Sequence, residues 1–117
     1  MRIRSDIWVK AYVRRRTADG CFAGVIAHGD DMAGAIVIKI NRLDGQVVIY
    51  SPAPQGLDGV DTERRFIRNH KTPTLPEADA DARIAREREF DSDLWVVEVE
   101  DRRGAHGLDG WLATDLP

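Results

Sequence analysis

The sequence predicts an α+β domain: an antiparallel or mixed sheet of four to five strands with two helices packed on it, in the order helix, three strands, a possible fourth strand, helix, strand. Three observations carry this. Residues 34–41, 46–51 and 94–100 are rich in β-branched residues and alternate at period two. Asp44-Gly45, between the first two of these runs, is a strong short-range hairpin signal. The strands come in a run set apart from the helices, which argues for helices on one face and against a doubly wound parallel sheet.

The first helix opens at Ser5, a good N-cap, followed by Asp6, whose charge suits a helix N-terminus. Ile7, Ala11 and Ala18 share one face, with Trp8 and Tyr12 beside it. Arg14, Arg15 and Arg16 fall in the last turn, and Gly20 supplies the stop. Residues 22–28 form a small apolar strand that ends in a Gly29-Asp30-Asp31 turn. In the next strand Ile36, Ile38 and Ile40 face one way, and Val37 and Lys39 the other. After the hairpin, Val47 and Ile49 share a face opposite Val48 and Tyr50. Pro52 and Pro54 end this unit, and Gly56 and Gly59 keep the following segment irregular. Residues 64–68 are the possible fourth strand. Thr74 and Glu77 match a capping box for a helix over 76–89 whose thin apolar side is Ala80, Ile84 and Ala85. In the final strand Trp95, Val97 and Val99 alternate with Val96, Glu98 and Glu100. Leu108, Trp111 and Leu112 imply that the tail packs back on the domain.

A chain of 117 residues, 43% hydrophobic and 32% charged, fits a single domain spanning 1–117 with one core. It is too apolar for a disordered chain, and its single cysteine excludes a disulfide scaffold. The longest apolar stretch, 33–38, is far short of a membrane span, so no membrane partner is expected. The basic residues near the start interrupt any signal-like segment, and a cytoplasmic location follows as the expectation. The net charge of −3 conceals an asymmetry. Residues 1–16 carry six basic residues and one acid, for +5, whereas residues 77–101 carry ten acids and three arginines, for −7. Either the two segments face one another, or the molecule is a dipole that orients charged partners.

Four stretches, Arg4-Ser5-Asp6-Ile7-Trp8-Val9, Gly34-Ala35-Ile36-Val37-Ile38-Lys39, Pro52-Ala53-Pro54-Gln55 and Asp93-Leu94-Trp95-Val96-Val97-Glu98-Val99-Glu100-Asp101, give the chain its family likeness. It resembles an uncharacterised alphaproteobacterial family of short single-domain proteins catalogued as a domain of unknown function. The resemblance implies a free-standing domain and assigns no activity, cofactor or catalytic residue.

Sequence chemistry is sparse. There is no HExxH, CxxC or EF-hand loop, and His28 with Asp30 and Asp31 reads as a solvated turn, so no metal and no cofactor is expected. Cys21 stands at the start of a small-residue strand, where an inert thiol is the common outcome. Glu98 and Glu100 share a strand face about 7 Å apart and suit either acid and base work or ion pairing with Lys39, Arg64 or Arg68. The basic stretch Arg2, Arg4, Lys10, Arg14, Arg15 and Arg16, with Trp8 and Tyr12 interleaved, has the ingredients of nucleic-acid contact. Yet the two aromatics sit at core spacing, and an isoelectric point near 5.6 works against that reading. The leading expectation is a small cytoplasmic, non-enzymatic protein-binding or adaptor domain, with a protein partner or a homodimer. Its candidate surfaces are Arg4, Lys10, Arg14, Arg15 and Arg16 on one side and Glu98 and Glu100 on the other. The alternatives are a small enzyme using Glu98 and Glu100 or Cys21, and a nucleic-acid binder using the first helix.

Overall fold

Six strands form one mixed sheet in the computed structural model, which describes residues 2–54 and 64–113. Gln55, Gly56 and Gly59 lie outside the described residues. The elements follow as α1 (Ser5–Ala18), β1 (Phe22–Ala27), β2 (Ile36–Asn41), β3 (Gln46–Pro52), β4 (Phe66–Arg68), β5 (Leu75–Pro76), α2 (Glu77–Phe90) and β6 (Trp95–Glu100), with a single 3-10 turn at Asp109–Trp111. The α+β class is as predicted, and the two-residue β5 takes the strand count above four to five.

Spatial order is β1-β6-β2-β3-β4, with β5 joining the β4 side of β3. The last strand therefore sits inside the sheet, parallel to β2 and antiparallel to β1. Composition explains this placement. β2 is buried at all six positions, and β6 is apolar on both faces through Trp95, Val96, Val97 and Val99. Such strands need cover on both sides. Ile36, Ile38, Ile40, Trp95, Val97 and Val99 pack with Trp8, Val9 and Tyr12 of α1, whereas Val37, Val47, Ile49 and Val96 pack with Ala80 and Ile84 of α2. The helices thus lie on opposite faces, which corrects the expectation of one helical face. Each large apolar side chain so buried contributes about 1.5–3 kcal/mol.

Helix faces also differ from the periodicity reading. α1 buries Ser5, Trp8, Val9, Tyr12 and Arg16, and Ile7, Ala11 and Ala18 point to solvent. Ser5 is not the cap: its Oγ donates to the Gly34 carbonyl at 2.6 Å and accepts from Arg64 Nη2 at 3.0 Å. The helix start is satisfied instead by the β1–β2 connection, whose Met32 and Asp31 carbonyls accept from the Ser5 and Asp6 amides. In α2, Ala85 is exposed, and the capping box does not form. Thr74 Oγ1 donates to Gln46 Oε1, and the Glu77 carboxylate is taken by Lys39 and Asn41. The tail does pack back, with Leu108 fully buried and Trp111 and Leu112 against the α1-side core.

Candidate functional site

Structure divides the basic helix. Arg16 is buried under the tail, where its Nη2 pairs with Asp19 at 2.6 Å and its guanidinium occupies the space that a side chain on Gly107 would need. Arg4 pairs with Asp6 at 3.1 Å. Lys10, Arg14 and Arg15 are exposed and form no ion pair among the described residues. Trp8 and Tyr12 stack at 5.1 Å within the core, so neither offers a platform for bases.

Lys10 and Arg14 instead border a groove of about 450 Å³ between α1 and β1, with Asp6 at one end and Val9, Val13, Val25 and Trp95 as its apolar floor. Each wall has a local cause. Antiparallel pairing of Val25 with Val97 turns Val25 to the α1 side. Gly29 and Gly34 let the β1–β2 connection press onto Asp93 and Leu94, since a Cβ at either would lie within 2.3 Å of the Asp93 carbonyl. That contact lets Trp95 Nε1 donate to the Asp30 carbonyl at 2.7 Å. His28 then lies over Trp95, ring centroids 4.0 Å apart, with Nε2 2.8 Å from Asp31 Oδ1. Asp30 does not join them, because its carboxylate caps the Met32 and Ala33 amides. Among the described residues no group of three or more His, Cys, Asp or Glu is placed to hold a metal ion.

Beside the groove runs the outer edge of β1, which no strand covers among the described residues. Phe22, Val25 and Ile26 are 76%, 45% and 55% exposed. The register shift between Val25 and Ala27 leaves Ile26 as a bulge that ends regular pairing. The sequence marks residues 22–28 as a small apolar strand but not as an edge, because a small apolar run reads the same at an edge as in a centre.

The carboxylate candidates go elsewhere. Glu98 faces α2, where its Oε2 accepts from Asn41 Nδ2 at 3.0 Å and its Oε1 lies 3.7 Å from Lys39 Nζ. Lys39, 3% exposed, donates to Glu77 and Asp81 at 2.8 Å each. Burial alone would lower the Lys39 pKa, but these hydrogen bonds and the Glu98 charge outweigh it and hold the ammonium above its ordinary value. A lysine so held is a clamp between sheet and helix, not a nucleophile. Cys21 is half-buried, its Sγ 3.9 Å from Asp101 Oδ1, and burial with the Asp101 charge pushes the thiol up, opposite to what thiolate chemistry needs. Neither Cys21, Glu98 nor Glu100 lines the α1–β1 groove.

The molecule is thus a small α+β domain, one mixed sheet with a helix on each face and a cleft of about 450 Å³ at the β1 edge of the sheet. The chain belongs to the family described as proteins of unknown function (DUF1491), which matches residues 3–109. The crystal structure of a DUF1491 family protein from Caulobacter crescentus is similar at a TM-score of 0.79 and 36% identity, covering 97% of this chain and all of that one. A DUF1491 family protein from the same organism, studied by NMR, has a TM-score of 0.79 and 39% identity over 97% of this chain and 99% of its own. A protein from A. tumefaciens, seen in solution, gives 0.72 and 41% over 86% of each chain. No curated protein matches the chain. Among the described residues no helix is long and apolar enough to cross a membrane.

Proposed function

We propose that this chain is a small non-enzymatic binding domain that takes an extended, acidic segment of a partner protein along the free edge of β1. One observation carries the reading: among the described residues, an uncovered, uncharged strand edge lies beside a groove whose exposed Lys10 and Arg14 form no ion pair. An edge strand offers a row of unpaired N–H and C=O groups, and natural proteins usually blunt such an edge with charge. Here the sequence Phe22–Ala27 has none. Strand addition would supply main-chain hydrogen bonds, and alternate partner side chains would reach the groove. Apolar groups suit the Val25 and Trp95 floor, and carboxylates suit Lys10 and Arg14. A cytoplasmic setting accords with the free Cys21 thiol.

A synthetic peptide of alternating Asp and Val, titrated into the ¹⁵N-labelled chain, tests this. Amides of residues 22–26 and those near Lys10 and Arg14 should shift together, and the Lys10→Glu/Arg14→Glu variant should abolish the response. No shift at millimolar peptide, or equal binding of a Lys-Val peptide, would sink the reading. Light scattering on the free chain distinguishes a second copy at the β1 edge. Steeply salt-dependent binding of a single-stranded oligonucleotide, with no response to the peptide, would establish the nucleic-acid alternative instead.

A further inference from the structure

At the opposite edge of the sheet, the connector between β4 and β5 is held from every side. Arg68 Nε donates to the His70 carbonyl at 3.0 Å, and Arg83 Nη1, reaching across from α2, donates to the Asn69 carbonyl at 3.0 Å. Thr72 Oγ1 donates to the Thr74 carbonyl at 2.7 Å. His70 fills the gap on β3 between the β4 and β5 pairings. Its Nε2 accepts from the Ile49 amide at 3.1 Å, where a strand carbonyl would otherwise stand. An amide N–H only donates, so Nε2 carries no proton, and Nδ1–H must be the donor to the Thr72 carbonyl at 2.8 Å. The imidazole is a neutral structural strut.

These bonds fix two guanidiniums on consecutive carbonyls of one loop. Between them and the exposed Lys71 lies a groove of about 560 Å³, floored in part by Leu75. Among the described residues no carboxylate lines it and none of Arg68, Lys71 and Arg83 forms an ion pair. Glu87, a turn further along α2, feels the Arg83 charge without pairing with it. Arg68 uses Nε and Nη2 on the loop and Arg83 uses Nη1, so each keeps N–H groups for a ligand. Unneutralised cations held in rigid geometry are the usual way to bind a tetrahedral oxyanion, and guanidinium forks do so bidentately. The volume falls within the range of small-molecule sites, about 300–1,000 Å³.

We infer that the groove formed by Arg68, Lys71 and Arg83 is a binding site for a small soluble phosphate-bearing ligand. The site shares no residue with the α1–β1 groove and stands or falls independently of the function proposed for it. Inorganic phosphate titrated into the ¹⁵N-labelled full chain, with ionic strength held constant by sodium chloride, is the test. Saturable shifts should be confined to residues 68–72 and 83. Arg83→Gln and Lys71→Gln should each weaken apparent affinity about tenfold or more, the size expected for losing a charge-assisted bond. Lys71 makes no hydrogen bond through its side chain among the described residues, so its variant keeps the fold intact and an unfolded Arg83→Gln would not obscure the result. The inference fails if chloride alone reproduces the shifts, or if they spread equally to Lys10 and Arg14. It also fails if vesicles containing phosphatidylglycerol bind the chain while phosphate leaves this groove unmoved.

Discussion

Replacing Lys39 by Met tests how the second helix is attached to the sheet. Met keeps the length of the stem and the apolar packing along it, so the change isolates the ammonium. Lys39 is 3% exposed, and its two 2.8 Å partners, Glu77 and Asp81, are 41% and 58% exposed. Breaking a fully buried pair costs about 3–5 kcal/mol, whereas an exposed one is worth about 1 kcal/mol or less. Two half-exposed pairs lie between these limits. Removal also leaves Glu77, Asp81 and Glu98 facing one another with only Asn41 to share. The expected loss is therefore about 2–4 kcal/mol, a large part of the 5–15 kcal/mol that stabilises a typical domain.

Urea unfolding at neutral pH, followed by circular dichroism, should show a lower midpoint with an unchanged slope. A second signature lies at alkaline pH. The folded-state pKa of Lys39 is raised, so its stabilisation is complete below the unfolded value near 10.5 and is lost as pH rises through the folded one. Tyr12 and Tyr50, whose hydroxyl pKa values burial raises, add to alkaline loss in both proteins, so the difference between wild type and variant reports Lys39. A variant within about 0.5 kcal/mol of wild type, or a difference that persists unchanged above pH 11, would refute the clamp.

Further outcomes follow from the same structure. The pKa values of His70 and His106 are both lowered in the fold, chiefly by burial, with Arg68 and Arg83 adding at His70; stability should be complete above about pH 6.5 and fall with decreasing pH, and His70→Gln should reduce that slope in a pH series of urea midpoints. Gly34→Ala should cost about 2–3 kcal/mol in thermal unfolding, because its Cβ would lie 2.3 Å from the Asp93 carbonyl and 2.9 Å from the Asp30 backbone, neither of which can rotate away. Phe66→Ala, at 2% exposure, should cost about 3–5 kcal/mol, whereas Phe22→Ser, at 76%, should stay within about 0.5 kcal/mol; equal effects would mean that β1 is not a free edge.

The strands were legible because period-two alternation depends only on the chain's own geometry, and β2, β3 and β6 lie within two residues of their predicted limits. What each face meets was not. Lys39 shares a strand face with Val37 and reads as a partner for Glu98, but the arrival of Glu77 and Asp81 from α2, which makes it core, is not written in that spacing. The same contact draws Glu77 away from the capping box that its spacing with Thr74 suggests. In α1 the buried stripe begins at Ser5 and ends at Arg16, two polar residues that obscure its phase, so Ile7 and Ala11 looked like the apolar face. The site was half visible. Lys10 and Arg14 stand out as charge, and His28 with Asp31 as a turn, but the groove exists only because β6 enters the sheet beside β1 and brings Trp95 under both.

That insertion also decides what the charge asymmetry means. α1 and α2 lie on opposite faces of the sheet, and none of Arg4, Lys10, Arg14, Arg15 and Arg16 forms an ion pair with a carboxylate of residues 77–101. Packed layers sit about 10 Å apart, so the two helices are separated by about twice that distance. Charges so far apart exceed the Debye length of about 8 Å at physiological salt and scarcely screen one another. The charge of α1 and that of α2, which has five acids against three arginines, therefore do not cancel across the sheet; the remaining acids of the −7 segment, Asp91, Asp93, Glu98, Glu100 and Asp101, lie beyond α2. An acidic peptide approaching β1 feels Lys10 and Arg14, while the acidic start of α2 acts through the sheet only weakly. Had both helices covered one face, Glu77, Asp79 and Asp81 would have had α1's cations within reach, and the groove would have had little charge left with which to recognise anything.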